Sequence, residues 1–189
     1  MQSERLRDFR VAILATDFFQ ENELIEPRKA LDEAGATTVV IAPHSGEIKG
    51  AQHDKVTQSV KVDQTLNDAD PEKFDALLLP GGSKNAAALR NEPLAQDFVR
   101  HMNQSHRPIA SICHGGWLLV STNQVKGRHM TSFPAIREDF EKAGAFWTDK
   151  AVVHDGNFVS SRQPADIPSF NQEMLSLFAD HKARSRTAA

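Results

Sequence analysis

One cysteine occurs in the chain, Cys113, and a histidine and two glycines follow it at once. In Ile109-Ala-Ser-Ile-Cys113-His114-Gly115-Gly116-Trp117 an apolar run stops at a nucleophile, and the glycines permit a sharp entry into a helix. That order resembles a nucleophile elbow, the tight strand-to-helix turn that holds out a reactive side chain. A cysteine at a helix N-terminus lies in the positive end of the macrodipole, which favours thiolate over thiol near neutral pH. Free cysteines are more often small buried apolar side chains. It is the strand, Cys, His, Gly, Gly context that points to chemistry.

Other residues with chemical potential lie at matching places. Gly81-Gly82 follow the run Asp75-Ala-Leu-Leu-Leu-Pro80, so their backbone N–H groups could face the thiol together with the N–H of His114. Such donors make an oxyanion hole; two glycines after a proline also make a plain tight turn. Glu23 opens a predicted helix, where its carboxylate could hydrogen-bond Cys113 and set its ionisation, although acids are common in first helical turns for dipole reasons alone. His114 is a candidate base, yet adjacent helical positions do not face one another, and its backbone alone could be what matters. The other histidines are scattered without ligand spacing, so neither a metal nor an organic cofactor is expected. Trp117, Phe18 and Phe19 could line a pocket mouth, with packing the commoner role for such side chains.

The elements that must position these residues are legible as apolar runs. Arg10–Thr16, Thr38–Pro43, Asp75–Pro80 and Pro108–Ile112 read as strands buried on both faces. Helical spacing is predicted over Glu23–Ala34, stopped by Gly35, over Pro93–Asn103, and over Phe133–Ala143, stopped by Gly144. Strands alternating with helices imply a mostly parallel sheet covered on both faces, with ligands collecting at the carboxyl ends of the strands. Cys113, Gly82 and Glu23 all fall on that edge. Ser45–Asn67 reads as a small antiparallel excursion containing Ser59–Asp63, and Asp155-Gly-Asn157 as a hairpin turn within Val152–Val159. Asp166 is placed to cap a last helix, Ile167–Asp180, with Pro168 in its first turn. The organisation expected is an N-terminal extension over 1–9, a single domain over 10–181 and a disordered tail over 182–189.

Composition narrows the class of function. The chain has 189 residues and is 40% apolar, enough for one sizeable core. With 22 basic against 25 acidic residues the formal charge is -3, and no long block of one sign asks for nucleic acid or a membrane surface. The charged start of the chain does not read as a signal peptide, and no run approaches the roughly 18 apolar residues of a membrane span. One cysteine excludes an internal disulfide and fits a reducing compartment. A cytoplasmic protein is expected.

Together, Leu79-Pro-Gly-Gly82, Ala110-Ser-Ile-Cys-His-Gly115, Glu23-Leu-Ile, Asp155-Gly-Asn157 and Ser160-Ser-Arg-Gln-Pro-Ala-Asp166 resemble the ThiJ/PfpI superfamily, in its PfpI-like intracellular cysteine hydrolase and deglycase branch. The match runs in consistent order over roughly residues 10 to 180. The resemblance implies an α/β, flavodoxin-like three-layer sandwich with a mostly parallel central sheet and a nucleophile elbow, the fold class shared with class I glutamine amidotransferases. It implies a homodimer or higher homo-oligomer. It also implies Cys113 as nucleophile, Glu23 as its hydrogen-bonded carboxylate, His114 as the neighbouring histidine, and Gly82 with His114 as backbone donors to an oxyanion.

Activities attributed to relatives include peptidase action, cofactor-free conversion of methylglyoxal to lactate, deglycation and stress protection. Peptidase-like relatives carry an acid four positions after the second glycine that reaches a neighbouring subunit's catalytic histidine; here that place is Ala86. A second departure is Gly116-Trp117, where relatives often have Pro-Gln or Pro-Trp. The expectation is therefore a cysteine enzyme acting on reactive carbonyls or glycated adducts in stress protection. A peptide or amide hydrolase, and a redox sensor working by Cys113 oxidation, are the alternatives.

Overall fold

The computed structural model describes residues 4–53 and 55–187. In chain order the elements are β1 (Arg10–Leu14), β2 (Phe19–Gln20), α1 (Glu21–Glu33), β3 (Thr37–Ala42), β4 (Glu47–Gln52), β5 (Lys55–Lys61) and β6 (Gln64–Thr65). There follow β7 (Ala76–Leu79), α2 (Ser83–Leu89), α3 (Pro93–Gln104), β8 (Ile109–Ile112) and α4 (Trp117–Ser121). The last third contains β9 (His129–Met130), α5 (Arg137–Lys142), β10 (Phe146–Trp147), β11 (Val152–Asp155), β12 (Phe158–Ser161) and α6 (Ile167–Thr187).

A 7-stranded sheet in the order β11-β12-β8-β7-β1-β3-β6 forms the middle layer. All its pairings are parallel except β11 against β12, which the Asp155–Asn157 turn joins as a hairpin. The continuous apolar character of the strands follows from burial on both faces. In β1, Val11 and Ile13 enter one core cluster with Leu24, Leu31, Phe170, Met174 and Phe178 of α1 and α6. Ala12 and Leu14 enter the other, with Phe98, Val99, Leu118, Leu119 and Phe140 of α3, α4 and α5. The same alternation divides Leu78 from Leu77 and Leu79 in β7. Helices thus cover both faces, and the flavodoxin-like three-layer sandwich is the observed architecture.

The antiparallel excursion is present as β4 and β5, registered from Glu47 opposite Lys61 to Gln52 opposite Lys55, with β2 adding parallel to β4. Three details differ from the sequence expectation. The segment expected as one helix from Phe133 is a 3-10 turn, Pro134–Ile136, followed by the short α5, because the backbone leaves helical geometry at Ile136, with φ -105 and ψ 11. Asp166 does not serve as a free cap: it ends a 3-10 turn, and Arg162 Nε and Nη2 donate to its two carboxylate oxygens at 2.9 and 3.0 Å.

The third difference is at the C-terminus, where α6 continues to Thr187 instead of giving way to a tail after 181. Lys182 Nζ donates to the carbonyls of Arg5 and Arg7, and His181 meets the Phe9 ring edge-on at 6.4 Å. Those contacts tie the last turns to the N-terminal segment, whose Leu6 and Phe9 are buried in the core. Residues 188 and 189 of the expected tail, and 1–3 of the expected extension, lie outside the described residues. Among the described residues no helix is long and apolar enough to cross a membrane.

Candidate active site

The carboxyl ends of β1, β7 and β8 converge, and each delivers one part of the site. β8 ends at Ile112, and Cys113 has φ +60, the left-handed region that costs a non-glycine residue of order 1–2 kcal/mol. A 3-10 turn, Cys113–Gly116, then leads into α4, which is only Trp117–Ser121. Gly115 makes the turn possible: a Cβ there would overlap the Leu79 carbonyl oxygen and lie 2.7 Å from that of Pro80. The strained elbow is therefore present, but the helix behind it is a little over one turn, so its dipole adds little. Directed N–H groups replace it.

Those donors come from two places. The backbone N–H groups of His114 and Gly82 face the Cys113 sulfur and favour its ionised form. Gly82 has φ +97, and a Cβ there would overlap the Phe18 carbonyl oxygen and lie 2.7 Å from Gln20 N. Only glycine fits that conformation and that gap together. At Gly81 a Cβ would run into the Glu23 carboxylate and lie 2.6 Å from Cys113 Cβ. The two glycines thus bring β7's end into contact with both the thiol and the acid, which a plain tight turn would not require.

Glu23 sits in the first turn of α1 and is fully buried. Burial raises its pKa from 4.5 to about 8, since the Cys113 thiol and the Gly81 N–H, which favour its ionised form, only partly offset the loss of water. Among the described residues neither carboxylate oxygen has a partner at full hydrogen-bond geometry. At neutral pH the carboxyl is consequently protonated and is a donor facing sulfur. Burial pushes the Cys113 thiol up, and so does a negative charge on Glu23, against the two N–H groups that pull it down. Because Glu23 is neutral below about 8, the charge repulsion is absent there. Burial, rather than a dipole-stabilised thiolate, governs the resting thiol.

His114 does reach the sulfur: Nδ1 lies 3.2 Å from Cys113 Sγ. The rule that neighbours diverge holds inside a helix, and the left-handed Cys113 backbone breaks it. Phe133 stacks on the imidazole at 4.9 Å and Trp117 meets it edge-on at 5.1 Å, while Trp117 Nε1 donates to Asp139 at 2.7 Å. Burial among these rings lowers the His114 pKa, so the neutral imidazole can accept the thiol proton. Among the described residues nothing hydrogen-bonds its Nε2, and Ala86 is buried in α2 at 2% exposure, offering no carboxylate.

An open cavity of about 340 Å³ lies over Cys113, His114, Gly82 and Glu23, walled by Phe18, Ala51, Phe133 and Pro164. Phe18 is a pocket residue, at φ +64, whereas Phe19 is fully buried core and Trp117 supports His114 from behind. His53, from the turn between β4 and β5, also reaches the cavity and carried no sequence signal beyond its place in the excursion. No group of three or more His, Cys, Asp and Glu side chains among the described residues could hold a metal ion.

The profile of the DJ-1/PfpI family matches residues 9–177. A deglycase, PH1704 of Pyrococcus horikoshii, is 41% identical over 168 residues, covering 89% of this chain and 98% of that protein. A putative cysteine protease, YraA of Bacillus subtilis, is 38% identical over 169 residues, covering 89% and 97%. Drosophila melanogaster DJ-1beta superposes with a TM-score of 0.83 at 24% identity, covering 90% of each chain, which speaks for the fold.

Proposed function

This chain belongs to the DJ-1/PfpI family, and from that premise we propose that it is a cofactor-independent cysteine enzyme that converts reactive carbonyls or removes them from glycated adducts, protecting the cell under stress. The observation that carries the reading is the convergence on one sulfur of two backbone donors, a protonated carboxyl and a neutral imidazole. Sγ adds to an aldehyde carbon and the π pair moves to oxygen. The N–H groups of Gly82 and His114 hold the resulting oxyanion. The thiol proton, taken by His114 Nδ1, passes to that oxygen and leaves a hemithioacetal. From a hemiaminal adduct the amine departs with a proton, and the same hemithioacetal results.

For a 2-oxoaldehyde the next step moves the C1 proton to a base and returns a proton at C2, which gives a thioester of a 2-hydroxy acid. Water then adds, and the acid leaves as Cys113 recovers its proton. The net reaction adds one water and needs no external oxidant. An aldehyde carbon is electrophilic enough to be attacked without a strongly activated triad.

Amide hydrolysis asks more, because the leaving amine must be protonated by an oriented imidazolium. The 3.2 Å Sγ to Nδ1 contact favours a peptidase as the second reading, and the unpartnered Nε2 counts against it. The protein is proposed to work in the cytoplasm as a homodimer or larger homo-oligomer. The test compares wild type with Cys113→Ala on methylglyoxal, a fluorescent peptide set and dilute peroxide. Lactate from the wild type alone supports the proposal, and peptide cleavage without lactate supports the second reading. Clean oxidation of Cys113 with no turnover of either substrate class overturns both in favour of a redox sensor.

A further inference from the structure

The geometry points to Asn85 as the positioning residue that aims both backbone donors at the reactive pair, an inference that rests on Cys113 being the reactive centre. Asn85 is fully buried in the first turn of α2 and touches neither the sulfur nor the cavity. Its Oδ1 accepts the backbone N–H of Thr16, beyond β1, at 2.7 Å. Its Nδ2 donates to the carbonyls of Pro80 at 3.3 Å and Gly81 at 3.0 Å. A donor on one side and two acceptors on the other fix which end of the amide is nitrogen.

The two carbonyls matter through the planarity of the peptide unit. Among the described residues no peptide bond is cis, so each carbonyl points opposite to the N–H of the following residue. Holding the Pro80 carbonyl therefore aims the Gly81 N–H, and that is the N–H facing the Glu23 carboxyl. Holding the Gly81 carbonyl aims the Gly82 N–H, which faces Cys113 Sγ. Gln20 N donates to the same Gly81 carbonyl at 3.0 Å, so the second peptide has two restraints and the first has Asn85. Glycines at 81 and 82 leave the chain otherwise free to rotate these peptides. One side-chain amide thus sets the direction of two N–H groups, one to the acid and one to the nucleophile.

The isosteric Asn85→Asp tests this, because it keeps an acceptor for Thr16 N–H and, being buried and protonated, has a single hydrogen for the Pro80 and Gly81 carbonyls, so at least one of them loses its donor. Asn85→Ala removes all three bonds. Asn157→Ala serves as a control of stability: Asn157 Nδ2 binds Asn103 and the Arg107 carbonyl, at the opposite edge of the sheet. The readout is the rate of Cys113 alkylation by iodoacetamide across pH, which needs no substrate. Losing one aimed N–H to a thiolate should slow alkylation at pH 7.5 at least about tenfold in both Asn85 variants and move its pH midpoint upward. The control should alkylate at the wild-type rate at an equal loss of melting temperature. Should Asn85→Ala fail to fold, Asn85→Asp carries the comparison.

Wild-type alkylation rate and midpoint in Asn85→Asp would overturn the assignment, as would an equal slowing in Asn157→Ala. Slowed alkylation with no carbonyl turnover by the wild type supports the positioning role while sinking the proposed reaction, so the two failures are separable.

Discussion

Replacing Glu23 by glutamine probes the most unusual electrostatic feature of the protein. The folded chain holds the Glu23 proton up to about pH 8, whereas an exposed carboxyl releases it near 4.5. The folded state therefore binds more protons in that window, and the stability contributed by this group falls as pH rises from 4.5 to 8 and levels off above it. At about 1.36 kcal/mol per pKa unit the full span is about 5 kcal/mol, of which about 3 is lost between pH 5 and pH 8. Glutamine has no proton to lose, so Glu23→Gln lacks this component while keeping the size of the side chain. Urea unfolding at pH 5, 6, 7 and 8 should show the stability of the variant gaining about 3 kcal/mol relative to wild type across the series. A difference between the two proteins that stays constant to within about 0.5 kcal/mol would refute the buried, protonated carboxyl.

Other predictions follow from the elbow and from the chain ends. Gly82→Ala forces a side chain into a left-handed position occupied by the Phe18 carbonyl. It should cost at least about 2 kcal/mol by thermal unfolding and slow carbonyl turnover at least about tenfold through the displaced N–H. Truncation after Asp180 removes the Lys182 bonds to the Arg5 and Arg7 carbonyls and the His181 contact with Phe9. It should lower stability by about 1–2 kcal/mol, read as an earlier melting transition with unchanged kcat, whereas a disordered tail would leave melting unaltered.

The strands were legible in the sequence because burial on both faces removes the need for alternation, so Val11 to Leu14 and Ala76 to Leu79 are apolar without interruption. Cys113, Glu23 and Gly82 were legible for a related reason: each lies where an apolar run or a helix begins or ends at one sheet edge. The His114 contact was hidden, since the spacing rule that separates neighbours assumes a helix and the Cys113 backbone is left-handed. The length of α6 was hidden too, because the mostly polar stretch from His181 to Arg186 looks like a solvated tail until the N-terminal carbonyls that Lys182 binds are in place. Asn85 left a faint mark. An asparagine among Ser83-Lys-Asn-Ala-Ala-Ala88 is a poor helix former without a visible purpose, and only the tertiary structure shows three backbone partners for it.

The central claim is that Cys113 attacks the carbonyl carbon and carries the substrate covalently. Acid-quenching wild-type protein during turnover of isotopically labelled methylglyoxal, then mapping the peptide that bears the label, tests it most directly. The account predicts label on Cys113 during turnover, its disappearance when substrate is exhausted, and labelled lactate that Cys113→Ala does not form. Undiminished lactate from Cys113→Ala, or label confined to lysine and arginine side chains, would contradict it.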